Sequence, residues 1–164
     1  MRITTRGRYA LRASLALAKM VSRDEPVSIN ALSAEENISS VFLEQIFFRL
    51  KKAGLVMSIR GPGGGFNFAQ PLNKITVKQI LEAAGEDLNI TFCNKRADDC
   101  ERVGGCMSHY LWEEANNLVK NYFADITLSS ILKKYDAEGN REPRAKGPMV
   151  RRCGSTNQED KKHG

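Results

Sequence analysis

The feature that most constrains the fold of this chain is a glycine-rich loop, Gly61-Pro62-Gly63-Gly64-Gly65, between two short apolar segments. The segments at 55–60 and 66–69 have the length and the flanking glycines of short β-strands. Glycine permits positive φ angles and leaves no side chain to block a ligand that approaches the backbone. The sequence therefore predicts a β-hairpin. A nucleotide-phosphate loop is a poor alternative, because the segment lacks the Lys and the Ser or Thr that end a P-loop.

Three helical patterns precede this hairpin. Apolar residues at three- and four-residue spacing predict a first helix over residues 5–22. A short second helix follows Ser28 and ends at Asn37, a residue type that tolerates the left-handed conformation. Ser39 caps a third helix, which Gly54 closes. Helix, helix, turn, helix and hairpin is the order of a winged helix-turn-helix, so we predict a mainly α fold with a β-hairpin wing.

The third helix of such a fold enters the major groove of DNA, and its polar side chains suit base recognition. Gln can bond adenine, Glu can accept a hydrogen bond from cytosine, and hydroxyls can bond bases or phosphates. Glu44 is the most informative, because a carboxylate among phosphates is costly unless it meets such a donor. The alternative is that these residues are the solvated face of an ordinary amphipathic helix. The candidate DNA-binding residues of helix and wing are Ser39, Ser40, Glu44, Gln45, Arg49, Arg60, Gly61 and Gly63.

The basic charge is concentrated in the same region. The 164 residues include 25 Lys and Arg and 19 Asp and Glu, which gives a net charge of +6. Residues 1–75 hold 11 basic and 5 acidic groups, whereas residues 76–135 hold 7 and 9. A basic N-terminal half predicts a polyanionic partner, here double-stranded operator DNA.

Two absences in the sequence bear on where the protein acts. Its apolar runs are far shorter than the ~20 residues that a membrane-spanning helix needs. It also has no apolar segment at its start that could serve as a signal peptide. We therefore expect a cytoplasmic protein without a membrane partner. In a reducing compartment, clustered Cys and His residues predict a metal site rather than a disulfide framework.

Three cysteines and one histidine form the second candidate site: Cys93, Cys100, Cys106 and His109. Cys106 and His109 stand three residues apart at the start of a predicted helix, so both project on one face. The set fits a structural zinc ion or an iron–sulfur cluster. The ligands are separated by six, five and two residues, without the tight knuckle usual in zinc sites, which favours a [2Fe-2S] cluster. Nucleophilic Cys–His catalysis is a weaker hypothesis, because no orienting Asp or Asn is evident, and Cys153 is interpreted as a bystander.

The pattern continues beyond the hairpin. A helix is predicted at 77–84, followed by a polar segment that contains the first two cysteines. A long helical pattern then runs from about Cys106 to Ala124, and it is too apolar to stay exposed. We expect this helix to pack against something, with Trp112 as a core or interface anchor. A last short helix follows Thr127.

Three segments, Met1–Ala10, Phe42–Leu50 and Arg60–Phe66, resemble the IscR-type family of bacterial winged-helix regulators. The resemblance covers roughly residues 1–135. The segments Cys106–Trp112 and Asp125–Leu128 are similar to the branch whose regulators hold a [2Fe-2S] cluster through three cysteines and one histidine.

The resemblance implies specific site residues. The cluster ligands would be Cys93, Cys100, Cys106 and His109, and the DNA-reading residues would include Glu44, Gln45 and Arg60. Two positions depart from the family pattern. The first cysteine spacing is six residues where five is common, and Val41 stands where a hydroxyl residue is expected at the start of the recognition helix.

These observations lead to one hypothesis: a homodimeric transcription regulator, not an enzyme, whose long helix pairs with its symmetry mate. The resemblance implies that it mainly represses genes for iron–sulfur cluster assembly, and that cluster occupancy alters operator choice. Its alternatives are a nitric-oxide or redox sensor of the same family and a zinc-stabilised DNA-binding or interaction module. The predicted regions are a winged-helix domain (1–85), a cluster-binding loop (86–109), dimerisation helices (106–135) and a disordered tail (136–164).

Overall fold

The computed structural model describes residues 2–21, 25–91 and 105–138. Within these ranges the chain forms helices and one two-stranded antiparallel sheet. In chain order the elements are α1 (Thr5–Met20), α2 (Ile29–Glu36), α3 (Ser40–Lys52), β1 (Val56–Ile59), β2 (Gly65–Phe68), α4 (Val77–Ala83), α5 (Met107–Asp125) and α6 (Leu128–Ala137). The order confirms the predicted winged helix-turn-helix followed by a long helix.

The core forms where α1, α2 and α3 meet. The predicted apolar face of α1 is buried at Ala10, Ala13, Ala16 and Leu17, whereas Met20 remains 37% exposed. α1 ends at Met20, two residues earlier than predicted, because Val21 is already extended. The largest fully buried apolar side chains are Phe47, Leu17, Leu32, Leu43, Ile46, Leu50, Ile75, Ile80 and Leu128. Four of them belong to α3, which is thereby held firmly against the domain.

The turn between α2 and α3 is built by local hydrogen bonds. Asn37 has the predicted left-handed conformation (φ 52°, ψ 46°) and ends α2. The Ser33 hydroxyl donates to the Ile38 carbonyl at 2.6 Å, which closes the turn. Ser39 stands at the N-cap position of α3 as predicted, but its side chain makes no capping hydrogen bond. Its hydroxyl is therefore not used by the helix.

The wing is a short hairpin in which Val56 pairs with Phe68 and Ile59 with Gly65. At the tip, Gly61 (φ 105°) and Gly63 (φ 76°) adopt backbone conformations that other residues rarely take. A Cβ on Gly65 would lie 2.3 Å from the Val27 carbonyl oxygen. The hairpin can approach the chain before α2 this closely only because residue 65 is glycine, and Val27 exchanges two backbone hydrogen bonds with Phe66, at 2.8 and 3.0 Å.

The helices after the wing pack behind this domain. α4 begins with a capping box between Thr76 and Gln79, and it contacts α1, α3 and α5. Thr127 begins α6 in the same way with Ser130, and Thr76 and Thr127 form an isolated β-bridge. α6 continues to Ala137, two residues into the predicted tail, and residues 139–164, including Cys153, lie outside the described residues.

No helix in the described part of the chain is both long enough and apolar enough to span a membrane.

Candidate nucleic-acid interface and cysteine site

The outer face of α3 displays the side chains that were predicted to read DNA. Ser39, Glu44, Gln45 and Arg49 are exposed, and Ser40 is half-buried at the first helical position. Glu44, Gln45 and Arg49 line one shallow depression on this face. The ion pairs of the described residues are Arg12–Glu36 and Lys78–Glu82, so Glu44 has no cation bound to it in this part of the chain. The Glu44 carboxylate can accept hydrogen bonds, and the Gln45 amide beside it can both donate and accept them. Base recognition requires both kinds of group.

The wing continues this surface. Arg60 follows β1 directly and is exposed, as are Gly61 and Gly63. The Lys51 ammonium at the end of α3 donates to the Ser58 hydroxyl of β1 at 2.5 Å, which fixes the base of the hairpin relative to the recognition helix. The predicted helix and wing residues therefore lie on two adjoining elements whose relative position is held by direct contacts.

Two apolar residues lie on the outer face of α3: Val41, noted above as a departure from the family pattern, and Phe48, which was not predicted to take part in the interface. Val41 is 63% exposed and Phe48 is 69% exposed, although both are large apolar residues. Phe48 was missed because hydrogen bonding to bases involves polar side chains and Phe48 has no polar group. The signal was present nonetheless, because Val41 and Phe48 fall outside the apolar positions that define the buried face of the helix.

Two of the four proposed cluster ligands lie in the described residues. Cys106 is the N-cap residue of α5 and His109 stands in its first turn, where the His109 N–H donates to the Cys106 carbonyl at 3.0 Å. The Cys106 sulfur lies 3.2 Å from the Ser108 hydroxyl, and both predicted ligands are half-buried. Cys93 and Cys100 lie outside the described residues. Within the described residues alone, no group of three Cys, His, Asp or Glu side chains is placed to hold a metal ion.

The chain leading toward Cys93 is fastened at two points that sequence reasoning missed. The Glu86 carboxylate accepts hydrogen bonds from the Thr4 N–H (2.9 Å), the Thr4 hydroxyl and the Gly7 N–H (3.1 Å) at the start of α1. Four residues later, the Ile90 N–H donates to the side-chain oxygen of Asn116 at 2.6 Å. Asn116 is fully buried on α5. This segment is therefore attached both to the DNA-binding domain and to the long helix.

The long helix α5 has apolar residues on two adjacent faces. One face, with Trp112, Val119 and Phe123, is partly covered by the chain itself. On the other face, Met107 is 91% exposed, Leu111 59%, Leu118 65% and Tyr122 63%. We call these four residues the exposed α5 stripe. The expectation that the helix packs against something is thus met on one face within the chain, and the described residues leave the other face exposed.

Comparison with known proteins agrees with the winged-helix fold. A model of the Rrf2 family, described as an iron-dependent transcriptional regulator, matches residues 3–134. An HTH-type transcriptional regulator IscR from Photobacterium profundum is 39% identical over 133 residues, which cover 81% of this chain and 76% of that protein. The IscR from Vibrio atlanticus is 38% identical over the same shares of the two chains. The solved structure of T. potens IscR superimposes with a TM-score of 0.68 at 26% identity, covering 87% of this chain and 94% of that one.

These proteins are transcriptional regulators and not enzymes, which argues against nucleophilic Cys–His catalysis. Most of the chain is covered by the family model and by the curated relatives. The chain belongs to the Rrf2 family of transcriptional regulators.

Proposed function

We propose that this chain is a cytoplasmic, homodimeric, [2Fe-2S]-responsive regulator that mainly represses genes for iron–sulfur cluster assembly. Cys93, Cys100, Cys106 and His109 would hold the cluster, and its occupancy would alter the choice of operator. The observation that carries this proposal is the position of Cys106 and His109 within one turn at the start of α5. The name IscR borne by relatives with 37–39% identity supports the same function.

The donor set fits such a cluster. Thiolates and an imidazole are the side chains that hold [2Fe-2S] centres, and Cys106 and His109 are positioned to supply one of each from one helix end. Both are half-buried, so a bound group would be partly shielded from water. When bound, the cluster would supply a redox-sensitive and iron-dependent centre.

The contacts of Glu86 and Asn116 support a route from this site to DNA. The segment that leads to Cys93 is bonded to the start of α1 by Glu86 and to α5 through Ile90. α1 in turn packs against α3, which carries the candidate base-reading residues. A change in how this segment is held would therefore act on elements that position the recognition helix.

The cluster assignment is tested by the visible absorption spectrum, with iron and sulfide assays, of the full chain purified without oxygen. The wild type should be reddish brown and should contain iron and sulfide. Cys106→Ala should lose the colour and His109→Ala should lose or shift it, because each removes a ligand. The matched control is Cys153→Ala, which removes a thiol that we place outside the site and should leave the spectrum unchanged. A colourless wild type with stoichiometric zinc would refute the cluster and leave a zinc-stabilised regulator.

Operator choice is tested through Glu44. In a groove lined by phosphates a carboxylate discriminates against bases that offer it no donor. Glu44→Ala should therefore relax sequence discrimination severalfold while weakening the best site little. Glu35→Ala, which removes an exposed carboxylate from α2, should change affinity for all sites equally. Dissociation constants for a panel of single-base operator variants measure both effects, and a uniform loss in Glu44→Ala would contradict the assigned role.

A further inference from the structure

The outer face of α3 carries apolar groups that hydrogen bonding to bases does not explain. Val41 and Phe48 are 63% and 69% exposed. They are seven residues apart, so they lie on one face of the helix about two turns from each other. Glu44 and Gln45 occupy the same face between them. The face is therefore polar in the middle and apolar toward both ends.

Packing within the chain does not account for these two side chains. The buried side of α3 is already filled by Leu43, Ile46, Phe47 and Leu50, each with no exposed surface. Val41 and Phe48 point away from that core and contribute no comparable burial. Single exposed apolar residues are common on protein surfaces. Two of them on a face otherwise made of base-reading groups suggest a ligand with apolar patches.

The major groove offers one such patch. Of the four bases, only thymine presents a methyl group on its major-groove edge, and valine or phenylalanine can contact it directly. Val41 is the second residue of α3, near the N-terminal end of the helix, which is the end that meets base edges in helix-turn-helix proteins. Phe48 lies in the same depression as Glu44, Gln45 and Arg49.

We propose that Val41 and Phe48 read thymine methyl groups in the operator, on either side of the bases that Glu44 and Gln45 bond. This inference rests on the proposed function, because it requires α3 to lie in the major groove. It also gives a role to Val41, which stands where the family pattern has a hydroxyl residue. An apolar contact from Val41 to a thymine methyl group would replace the hydrogen bond that a hydroxyl residue makes, and would thereby change the operator that the protein prefers. The protein would then prefer thymine at certain operator positions where it makes no hydrogen bond to the base.

The test removes the methyl group and nothing else. Full-length protein, purified without oxygen, is first used to select the DNA duplexes that it binds best from a random-sequence library. In the best-bound duplex each thymidine is then replaced, one at a time, by deoxyuridine, and the dissociation constant is measured for each duplex. Loss of one buried methyl should weaken binding about fourfold at each contacted thymine. Thymines outside the contacted positions provide the internal control.

The variants assign each methyl to its side chain. The Val41→Ala variant should become insensitive to the replacement of one specific thymine by uracil. The Phe48→Ala variant should become insensitive to the replacement of a different thymine. Both residues are exposed, so both variants should fold, which circular dichroism checks. Gln45→Ala is the matched control, because it should lower affinity but keep the full sensitivity to both methyl groups.

The possible outcomes separate the two proposals. Wild-type protein that binds its duplex but ignores every uracil replacement would overturn the methyl contacts and leave the DNA-binding function intact. Sensitivity that persists unchanged in both alanine variants would also overturn the assignment. If the chain enriches no duplex at all, the proposed function fails, and this inference fails with it.

Discussion

At the scale of single residues, the contact with the largest structural consequence is the one between Glu86 and the start of α1. Its carboxylate bonds two backbone N–H groups and one hydroxyl from Thr4 and Gly7, and it is only 8% exposed. A negative charge at a helix N-terminus is favourable because it meets the unpaired amides and the positive end of the helix dipole. The partners are about eighty residues apart in sequence, so no local pattern could have predicted the contact.

This contact explains why residue 7 is glycine within a helix. A Cβ at this position would lie 2.6 Å from Cγ of Glu86. In an open helix, Gly→Ala would stabilise by about 0.5–1 kcal/mol. Here the methyl group displaces a carboxylate whose hydrogen bonds contribute more, about 1.5–3 kcal/mol for a charged group. Gly7→Ala should therefore lower the free energy of unfolding by about 0.5–2.5 kcal/mol in urea titrations.

The control for that prediction is Gly105→Ala, because a Cβ there meets no described atom within 4 Å. It should change stability by less than about 0.5 kcal/mol. A Gly7→Ala variant as stable as the wild type would mean that the Glu86 contact contributes little to α1.

At the scale of the elements, the sequence predicted most of what local chemistry determines. The capping residues Ser28, Thr76 and Thr127 each accept the expected backbone hydrogen bond, and Asn37 adopts the left-handed turn. The hairpin was predictable because its glycines are needed by the backbone itself. The two faces of α5 were not separated in advance, since an apolar pattern indicates that a helix is covered but not by what.

Asn116 is the element-scale contact that periodicity could not predict. Asn116 interrupts the apolar periodicity of α5 but is fully buried. Its side-chain oxygen accepts a hydrogen bond from the Ile90 N–H. Asn116→Ala should destabilise the protein by about 1–3 kcal/mol, because it removes the buried hydrogen bond from the Ile90 N–H to the Asn116 side chain. Asn117→Ala, one residue along and exposed, should have almost no effect. Thermal unfolding of both variants checks the difference, and equal melting temperatures would contradict it.

At the scale of the whole molecule, the exposed α5 stripe presents four large apolar side chains that are 59–91% exposed in the described part of the chain. Its residues recur at intervals of four, seven and four, which keeps them on one side of the helix. The dimer that we propose would bury this stripe against a second copy. A two-fold dimer also presents two recognition helices to a site whose half-sites are related by the same symmetry.

Leu118→Glu tests this assembly. A carboxylate in the centre of an apolar interface would be buried without a partner, so the variant should be monomeric at concentrations where the wild type is dimeric. It should also bind a full operator much more weakly, because the two half-sites are no longer linked. Analytical ultracentrifugation gives the oligomeric state. Lys133→Glu, an exposed position on α6, should remain dimeric, and a dimeric Leu118→Glu would place the interface elsewhere.

The cysteine site shows where sequence reasoning ends. The positions of Cys106 and His109 follow from the helix pattern, because a helix start fixes the spacing of its first residues. Cys93 and Cys100 lie outside the described residues, and their role as ligands stays a prediction. What the structure adds is that the chain leading toward them is anchored by Glu86 and Asn116.

The bonds between Val27 and Phe66 have a mechanical consequence. They attach the wing to the start of α2, while Lys51 attaches it to the end of α3. Wing and recognition helix are thus joined by direct contacts, and we expect them to move as one unit. In a dimer, a signal would then change the distance and the angle between the two DNA-binding domains, while the shape of each domain stays the same. Operators preferred in different states would then differ in the spacing of their half-sites as well as in the bases that Glu44 discriminates.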